Sequence, residues 1–143
     1  MTKYWLGVVQ REHVLRGVAG GFAQTNHGVK TGIQRMQPGD GLVYYSPKTA
    51  YPEGDALREF TAIGIIANSP PWQEDEGEWK PWRRKVEYDT TARATPITPL
   101  LDVLELTRGN RNWGFIMRRG QIEMTEHDFR VIAHEMGSTS LER

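Results

Sequence analysis

Met36-Gln37-Pro38-Gly39-Asp40-Gly41-Leu42-Val43-Tyr44-Tyr45-Ser46-Pro47 is the stretch whose reading decides the fold. Pro38 and Gly39 set a turn. Leu42, Val43, Tyr44 and Tyr45 are β-formers. Ser46-Pro47 should stop the strand, because proline cannot donate to a ladder. An aromatic ring and a hydroxyl are thereby placed side by side at a strand end, where a barrel opens. Such a pair can stack on a flat heterocycle and hydrogen-bond its edge. Side chains alternate across a strand, so Tyr44 and Tyr45 face opposite ways. One is expected in the core, and Tyr45 is expected nearer the site.

Working outward, Lys3 to Val9 reads as a first strand and Arg11 to Val18 as a short helix with Val14 and Leu15 facing inward. Gly17, Gly20 and Gly21 should break that helix, leaving Gly20 to Thr31 as loop. Thr31 to Met36 reads as one helical turn carrying Ile33 and Met36. Lys48 to Ala56 is a surface loop. Arg58 to Asn68 is a long strand in which Gly64 marks a bulge or a close backbone approach. Ser69 to Pro81 is irregular. Trp82 to Tyr88 alternates with Trp82, Arg84, Val86 and Tyr88 on one face. Thr98 to Leu106 reads as helix, and Phe115–Met117 with Gln121–Met124 as a hairpin turning near Arg119-Gly120. Thr125 caps a last helix with Asp128 at its third position. Phe129, Ile132, Ala133 and Met136 follow at helical spacing, and Gly137 ends it. The tail from Ser138 to Arg143 should fray. Short strands mixed irregularly with short helices predict a mixed α/β barrel, one domain over residues 1–143.

The chain has 143 residues, a formal net charge of zero and no cysteine, which excludes disulfides, thiolate metal sites and cysteine nucleophiles. The first residues run straight into a strand, with no signal peptide and no apolar run near a membrane span, so a cytoplasmic location and no membrane partner are expected. Charge is informative only locally. Arg108, Arg111, Arg118 and Arg119 crowd one segment without an acid, which suits local phosphate contact. Taken alone, Arg118-Arg119 reads as a solvated face. Glu74, Asp75, Glu76 and Glu78 crowd another segment, and Trp72, Trp79 and Trp82 sit in or beside it.

Tyr4-Trp5-Leu6-Gly7-Val8-Val9, His27-Gly28-Val29-Lys30, Gly39 through Pro47, Phe60-Thr61-Ala62-Ile63-Gly64, Trp82-Arg83-Arg84-Lys85-Val86 and Asn112-Trp113-Gly114 occur in the order seen in EVE domains. From Lys3 to about Met136 the chain resembles that family, which belongs to the PUA-like superfamily with the YTH and ASCH domains. The resemblance implies a PUA-like pseudo-β-barrel with short flanking helices and a cleft that accepts one nucleobase. Relatives hold a modified base in an aromatic cage. By the same resemblance, the cage walls fall on Trp79 and Trp5, although for Trp5, which falls in the first strand, core is the better reading. Lys30 matches a position where many EVE domains carry arginine followed by asparagine. Here Thr31 follows, which keeps phosphate contact but not asparagine-type base reading.

A base needs flat faces, edge hydrogen bonds and a partner for its phosphate. Candidate faces are Trp5, Tyr45, Trp79, Trp82 and Trp113. Candidate edge groups are Ser46, with Pro47 beside it, and the loop Gln24, Thr25, Asn26, His27 and Gly28, whose amides offer donor and acceptor together. Lys30, Arg83 and Arg118 are candidate cations. Asn112-Trp113 lies between Arg111 and Arg118, where an arginine and an indole could clamp a base or phosphate. Stacking on one ring is worth roughly 1–3 kcal/mol and extracting a base costs a few kcal/mol, so two faces are the minimum. Two rings about 7 Å apart would hold a base between them. Burying one extra methyl adds only about 0.8 kcal/mol, roughly fourfold, so strong selectivity needs a hydrogen bond to the modification.

The expected partner is therefore DNA or RNA with a modified base, bound without chemistry, cofactor or metal. The residues leave the oligomeric state open between a monomer and a weak dimer. One alternative is an ASCH-like enzyme acting on a modified nucleoside, with Lys30, Thr31, Ser46 and Glu59 as its players. No nucleophile with an evident base or triad motif supports it. His13, His27, His127 and His134 do not form a metal pattern. A protein-interaction module, with Trp72 and Trp79 projecting outward, is the other alternative.

Overall fold

A computed structural model describes residues 1–24, 30–138 and 141. In chain order the elements are β1 (Tyr4–Val8), α1 (Arg11–Gly20), β2 (Phe22–Ala23), α2 (Lys30–Arg35), β3 (Gly41–Lys48), β4 (Ala56–Ile66), β5 (Trp72–Gln73), β6 (Trp82–Tyr88), β7 (Thr95–Pro96), a 3-10 turn (Thr98–Leu100), α3 (Trp113–Met117), β8 (Gln121–Met124) and α4 (Glu126–Glu135). The strands form one mixed sheet in the order β2-β6-β4-β3-β1-β8, with β5 added to β6 and β7 to β4. β1 and β3 run parallel, and the other pairings are antiparallel. The result is a mixed α/β fold, a curled half-barrel with short helices, as expected.

β3 explains the curl. It is buried without interruption from Gly41 to Ser46, because each face of the sheet carries its own core. On one face Tyr45 joins Leu6, Phe60, Ile97, Leu104 and the α4 residues Phe129, Ile132 and Ala133. On the other, Tyr44 joins Trp5, Val14 of α1, Ile33, Met36 and Val86. Both tyrosines are therefore core, each 2% exposed. Tyr44 is the core residue expected of the pair, and Tyr45 is core as well because a central strand covered on both sides has no open face. The strand also runs through Pro47 to Lys48. Its pairing with β4 shifts register between Ser46 and Lys48, so the missing proline donor falls at an irregularity of the ladder.

The register also shifts between Tyr44 and Tyr45, leaving Thr61 of β4 without a partner residue on β3. Gly64 is the close approach that its position suggested. A Cβ there would meet the Glu87 carbonyl oxygen of β6 at 2.6 Å and Tyr88 Cα at 2.9 Å.

Several local expectations are corrected. Helix α1 runs through Gly17 and ends at Gly21, whose left-handed φ of 72° closes the C-cap. Leu15 points outward at 55% exposure, since Val14 and Gly17 occupy the buried stripe. Phe22–Ala23, expected as loop, pairs with β6. Ser69 to Pro81 contains a hairpin: β5 pairs with β6, Glu76 bridges Trp79, and Gly77 sits at φ 82° in the turn. Residues 113–117 form helix α3, and β8 pairs with β1 instead of closing a hairpin. Only Thr98–Leu100 of the expected helix is regular, a 3-10 turn. Thr125 does cap α4, its hydroxyl accepting from Asp128 N. The Asp128 carboxylate reaches away, to the Glu105 and Leu106 amides at 2.8 and 3.0 Å. Ser138 is fully buried, with its hydroxyl on Asp89, so the expected fraying does not begin there.

Candidate functional site

A cleft of about 540 Å³ opens where β1 ends, within the size range of small-ligand sites. Val8, Val9 and Gln10 form its floor, and His13 and Arg16 of α1 one side. Gln24 closes the edge. Tyr51 comes from the β3–β4 loop, Trp79 from the β5–β6 hairpin, and Met117, Arg118 and Gly120 from the end of α3. The floor is fixed by backbone: Val8 N donates to Gly120 O at 2.8 Å and Val9 N to Tyr45 O at 3.0 Å. Tyr51 and Trp79 are 76% and 47% exposed, so two aromatic rings border the cleft with surface to offer. The described lining holds two arginines and a histidine, and no carboxylate.

Gln24 is anchored at both ends. Its backbone N–H donates to the Tyr44 hydroxyl at 3.2 Å, and its side-chain oxygen accepts from Arg83 Nε at 2.8 Å. Burial drives the Tyr44 and Tyr88 hydroxyls well above their ordinary range, keeping them neutral as hydrogen-bonding groups. Tyr88 donates to Phe22 O at 2.8 Å. His13 Nδ1 lies 3.2 Å from Arg16. Burial first, then the Arg16 and Arg83 guanidiniums, hold its imidazole below the usual 6.5 and so favour the neutral ring.

Of the residues singled out from sequence, Gln24, Trp79 and Arg118 line this cleft. Asn26, His27 and Gly28 lie outside the described residues. Trp5 is 1% exposed, its indole N–H on Asp40 Oδ2 at 2.9 Å and the Arg35 guanidinium 5.0 Å above its ring. It is a core anchor, as a first-strand tryptophan with a buried acceptor should be. Tyr45 packs edge-on against Phe60 and Trp113. Ser46 is fully buried against Thr61, the hydroxyls 2.8 Å apart, and Pro47 follows it in the ladder. Neither Tyr45 nor Ser46 belongs to the cleft lining. Lys30 Nζ sits 4.5 Å over the half-buried Trp82 ring, away from the cleft lining. Asn112 is exposed ahead of α3. Arg118 lies over Phe115 at 4.6 Å, so the expected arginine–indole clamp with Trp113 is not formed. Arg83 stands behind the cleft, holding Gln24.

Sequence reading missed Gln10, His13, Arg16 and Tyr51. His13 and Arg16 share a helix face next to the first strand, a signal that was available. Tyr51 is a lone aromatic in a proline-glycine loop, and only the fold shows that it leans toward β1. Away from the cleft, Glu105, His127 and Asp128 bring donor atoms within 4.8 Å of one another. Their hydrogen bonds account for the clustering: Asp128 accepts the two backbone amides, and Glu105 accepts Thr125 Oγ1 at 2.6 Å.

A curled mixed barrel with a cleft at its strand ends is the PUA-like architecture. The chain belongs to the EVE domain family, whose model matches residues 3–135. It is 51% identical over 140 residues to a UPF0310 protein of Renibacterium salmoninarum, covering 98% of this chain and 99% of the relative. It is 42% identical over 138 residues to the UPF0310 protein YdcG of Bacillus subtilis, covering 95% and 93%. The fold is similar to the crystal structure of Atu2648 from Agrobacterium tumefaciens (TM-score 0.57, 15% identity, 95% and 94% covered). It is also similar to the NMR structure of Rpa0253 from Rhodopseudomonas palustris (TM-score 0.56, 18% identity, 96% and 94% covered). No described helix is long and apolar enough to cross a membrane.

Proposed function

We propose that this cleft binds one nucleobase of DNA or RNA, preferring a modified base, and performs no chemistry on it. The observation that carries this reading is the convergence of Trp79, Tyr51, the fixed Gln24 amide and two arginines on one concavity whose described lining has no carboxylate. Trp79 and Tyr51 offer stacking surface. The Gln24 amide, with its oxygen held by Arg83, presents its NH₂ as the donor to an acceptor on the base edge. Arg16 and Arg118 serve the flanking phosphates. Two stacked faces together provide roughly 2–6 kcal/mol, enough to offset extraction of a weakly paired base. The described lining contains His13 but no serine, threonine or carboxylate to pair with it as nucleophile or orienting acid, which favours binding over catalysis. EVE domains as PUA-like modules make nucleic acid the ligand class of first choice.

The test is tryptophan fluorescence of the protein titrated with short single-stranded and duplex DNA and RNA. Each carries cytosine, 5-methylcytosine, 5-hydroxymethylcytosine or N6-methyladenine, at two salt concentrations. Saturable quenching selective for one modified base is expected. Trp79→Ala should weaken it roughly tenfold, the loss of one stacking face, while leaving the unfolding midpoint nearly unchanged. Absence of binding to every oligonucleotide would refute the reading and turn attention to a protein partner for the exposed hairpin tryptophans.

A further inference from the structure

Arg83 is the best-connected side chain near the cleft, yet it is not part of the lining. It leaves β6 on the face opposite Arg84 and Val86, and its side chain is 13% exposed. Four side chains converge on its guanidinium. Nε donates to Gln24 Oε1 at 2.8 Å. The two terminal nitrogens reach Glu74 and Glu76, each at 3.4 Å. The planar group lies 4.1 Å over the Phe22 ring of β2. Glu74 and Glu76 are two apart on the outgoing arm of the hairpin, so both point to one side. That hairpin carries Trp79 on its return arm, zipped by Glu74 N to Pro81 O and Glu76 N to Trp79 O at 2.8 and 2.9 Å.

We propose that Arg83 is a positioning residue that couples the Trp79 hairpin to the Gln24 amide, so that stacking wall and edge donor are set together. Only arginine supplies what the position asks for: a rigid fork with separate donors for an amide oxygen and two carboxylates, and a flat face for an aromatic ring. The two carboxylates are partly exposed, so their hold on Arg83 is modest and screened by salt. The Gln24 contact and the Phe22 stack are shielded. Arg83 is therefore fixed to β2 and Gln24, and through Glu74 and Glu76 it sets the part of the hairpin that lies beyond the Trp72–Arg83 pair. Its effect on affinity rests on the base-binding reading; the coupling itself does not.

The experiment labels the five tryptophans with 5-fluorotryptophan and follows Trp79 by ¹⁹F NMR, assigned by its loss in Trp79→Phe. Arg83→Gln should move or broaden the Trp79 signal and leave Trp5 and Trp113 in place. Gln24→Ala should displace Trp79 in the wild-type background and have no effect in the Arg83→Gln background. Arg83→Lys keeps a cation for Glu74 and Glu76 but not the fork. It should return Trp79 towards its wild-type position without restoring its response to Gln24→Ala, a separation that a purely structural role would not produce. Oligonucleotide affinity should fall about tenfold in Arg83→Gln, the effect of one lost charged hydrogen bond. A Trp79 signal unmoved by Arg83→Gln, or moved equally by Gln24→Ala in both backgrounds, overturns the proposal. Should Arg83→Gln not fold, Glu74→Gln/Glu76→Gln changes only exposed groups and is held to the same two criteria. If wild-type protein binds no oligonucleotide, the base-binding reading falls and the ¹⁹F comparison still decides the coupling.

Discussion

Asp40 ties the opening turn to the first strand, and its removal should be felt throughout the molecule. The residue is 2% exposed and both carboxylate oxygens are used. Oδ2 accepts the Trp5 indole N–H at 2.9 Å and Gln37 N at 2.9 Å, and Oδ1 accepts Lys3 N at 3.0 Å. It is also the anion that offsets the buried Arg84 cation, whose Nε has no hydrogen-bond partner among the described residues. In Asp40→Ala the indole N–H stays buried without an acceptor, at a cost of about 1–3 kcal/mol. The two half-buried backbone donors can recruit water and add about 1 kcal/mol between them. The expected loss is therefore about 3 kcal/mol, a large part of the roughly 5–15 kcal/mol available to a domain. For 143 residues that corresponds to a fall in Tm of about 10 °C. Urea unfolding followed by far-UV circular dichroism measures it, with Trp5→Phe and the double variant closing a cycle. Phenylalanine removes the donor but keeps a ring, so coupling of about 1 kcal/mol or more is expected between the two sites. If Asp40→Ala unfolds within about 0.5 kcal/mol of wild type, or the cycle shows no coupling, the reasoning that Trp5 is an anchored core residue is refuted.

Two further outcomes follow from single contacts. Gly64→Ala drives a methyl into the β6 backbone at Glu87 and Tyr88; because backbone cannot yield as a side chain does, a loss of about 2–4 kcal/mol is expected, and an unfolding midpoint equal to wild type would contradict the close approach. His13 has its folded pKa held below the unfolded 6.5 by burial, with Arg16 and Arg83 adding to it. Below pH 6.5 the unfolded chain therefore takes up a proton before the native one does, so stability should fall with acidification from that point until the folded pKa is passed. His13→Gln should remove this part of the slope, which urea midpoints at about pH 7.5 and about pH 5.5 would show; identical slopes in the two proteins would count against it.

Much of the fold was legible because its signals are local. Trp82–Tyr88 alternates cleanly, and the strand has those bounds. Thr125 and the Phe129–Met136 spacing locate α4. The failures share a different cause. Phe22–Ala23 and Trp72–Gln73 are strands of two residues, too short to carry a period, and they exist because β6 offers its edges to them. Trp113–Met117 is rich in β-formers, yet it forms a helical turn whose Met117 reaches the core. That choice is made by packing against β8 and Tyr45, which propensity does not see.

The site was harder to read for a reason visible in Tyr45, Ser46 and Trp5. All three have chemistry suited to a ligand, and all three spend it inside: on Phe60 and Trp113, on Thr61, and on Asp40. An aromatic or hydroxyl on a strand cannot be assigned to core or cleft until the coverage of each sheet face is known, and here both faces are covered. The residues that do border the cleft share the opposite trait. Tyr51 and Trp79 lie in segments with turn and loop composition, where a large ring is not needed for packing. Gln24 is the exception that joins the two groups. It is almost fully buried, but Tyr44 holds its backbone and Arg83 holds its side-chain oxygen, which orients the amide instead of sealing it in the apolar core. A polar residue whose backbone and side chain are each held by another side chain at the edge of a cavity is better evidence of a site than an aromatic stretch on the central strand. By that criterion Gln24 and its Arg83 support are where this protein's specificity should be sought.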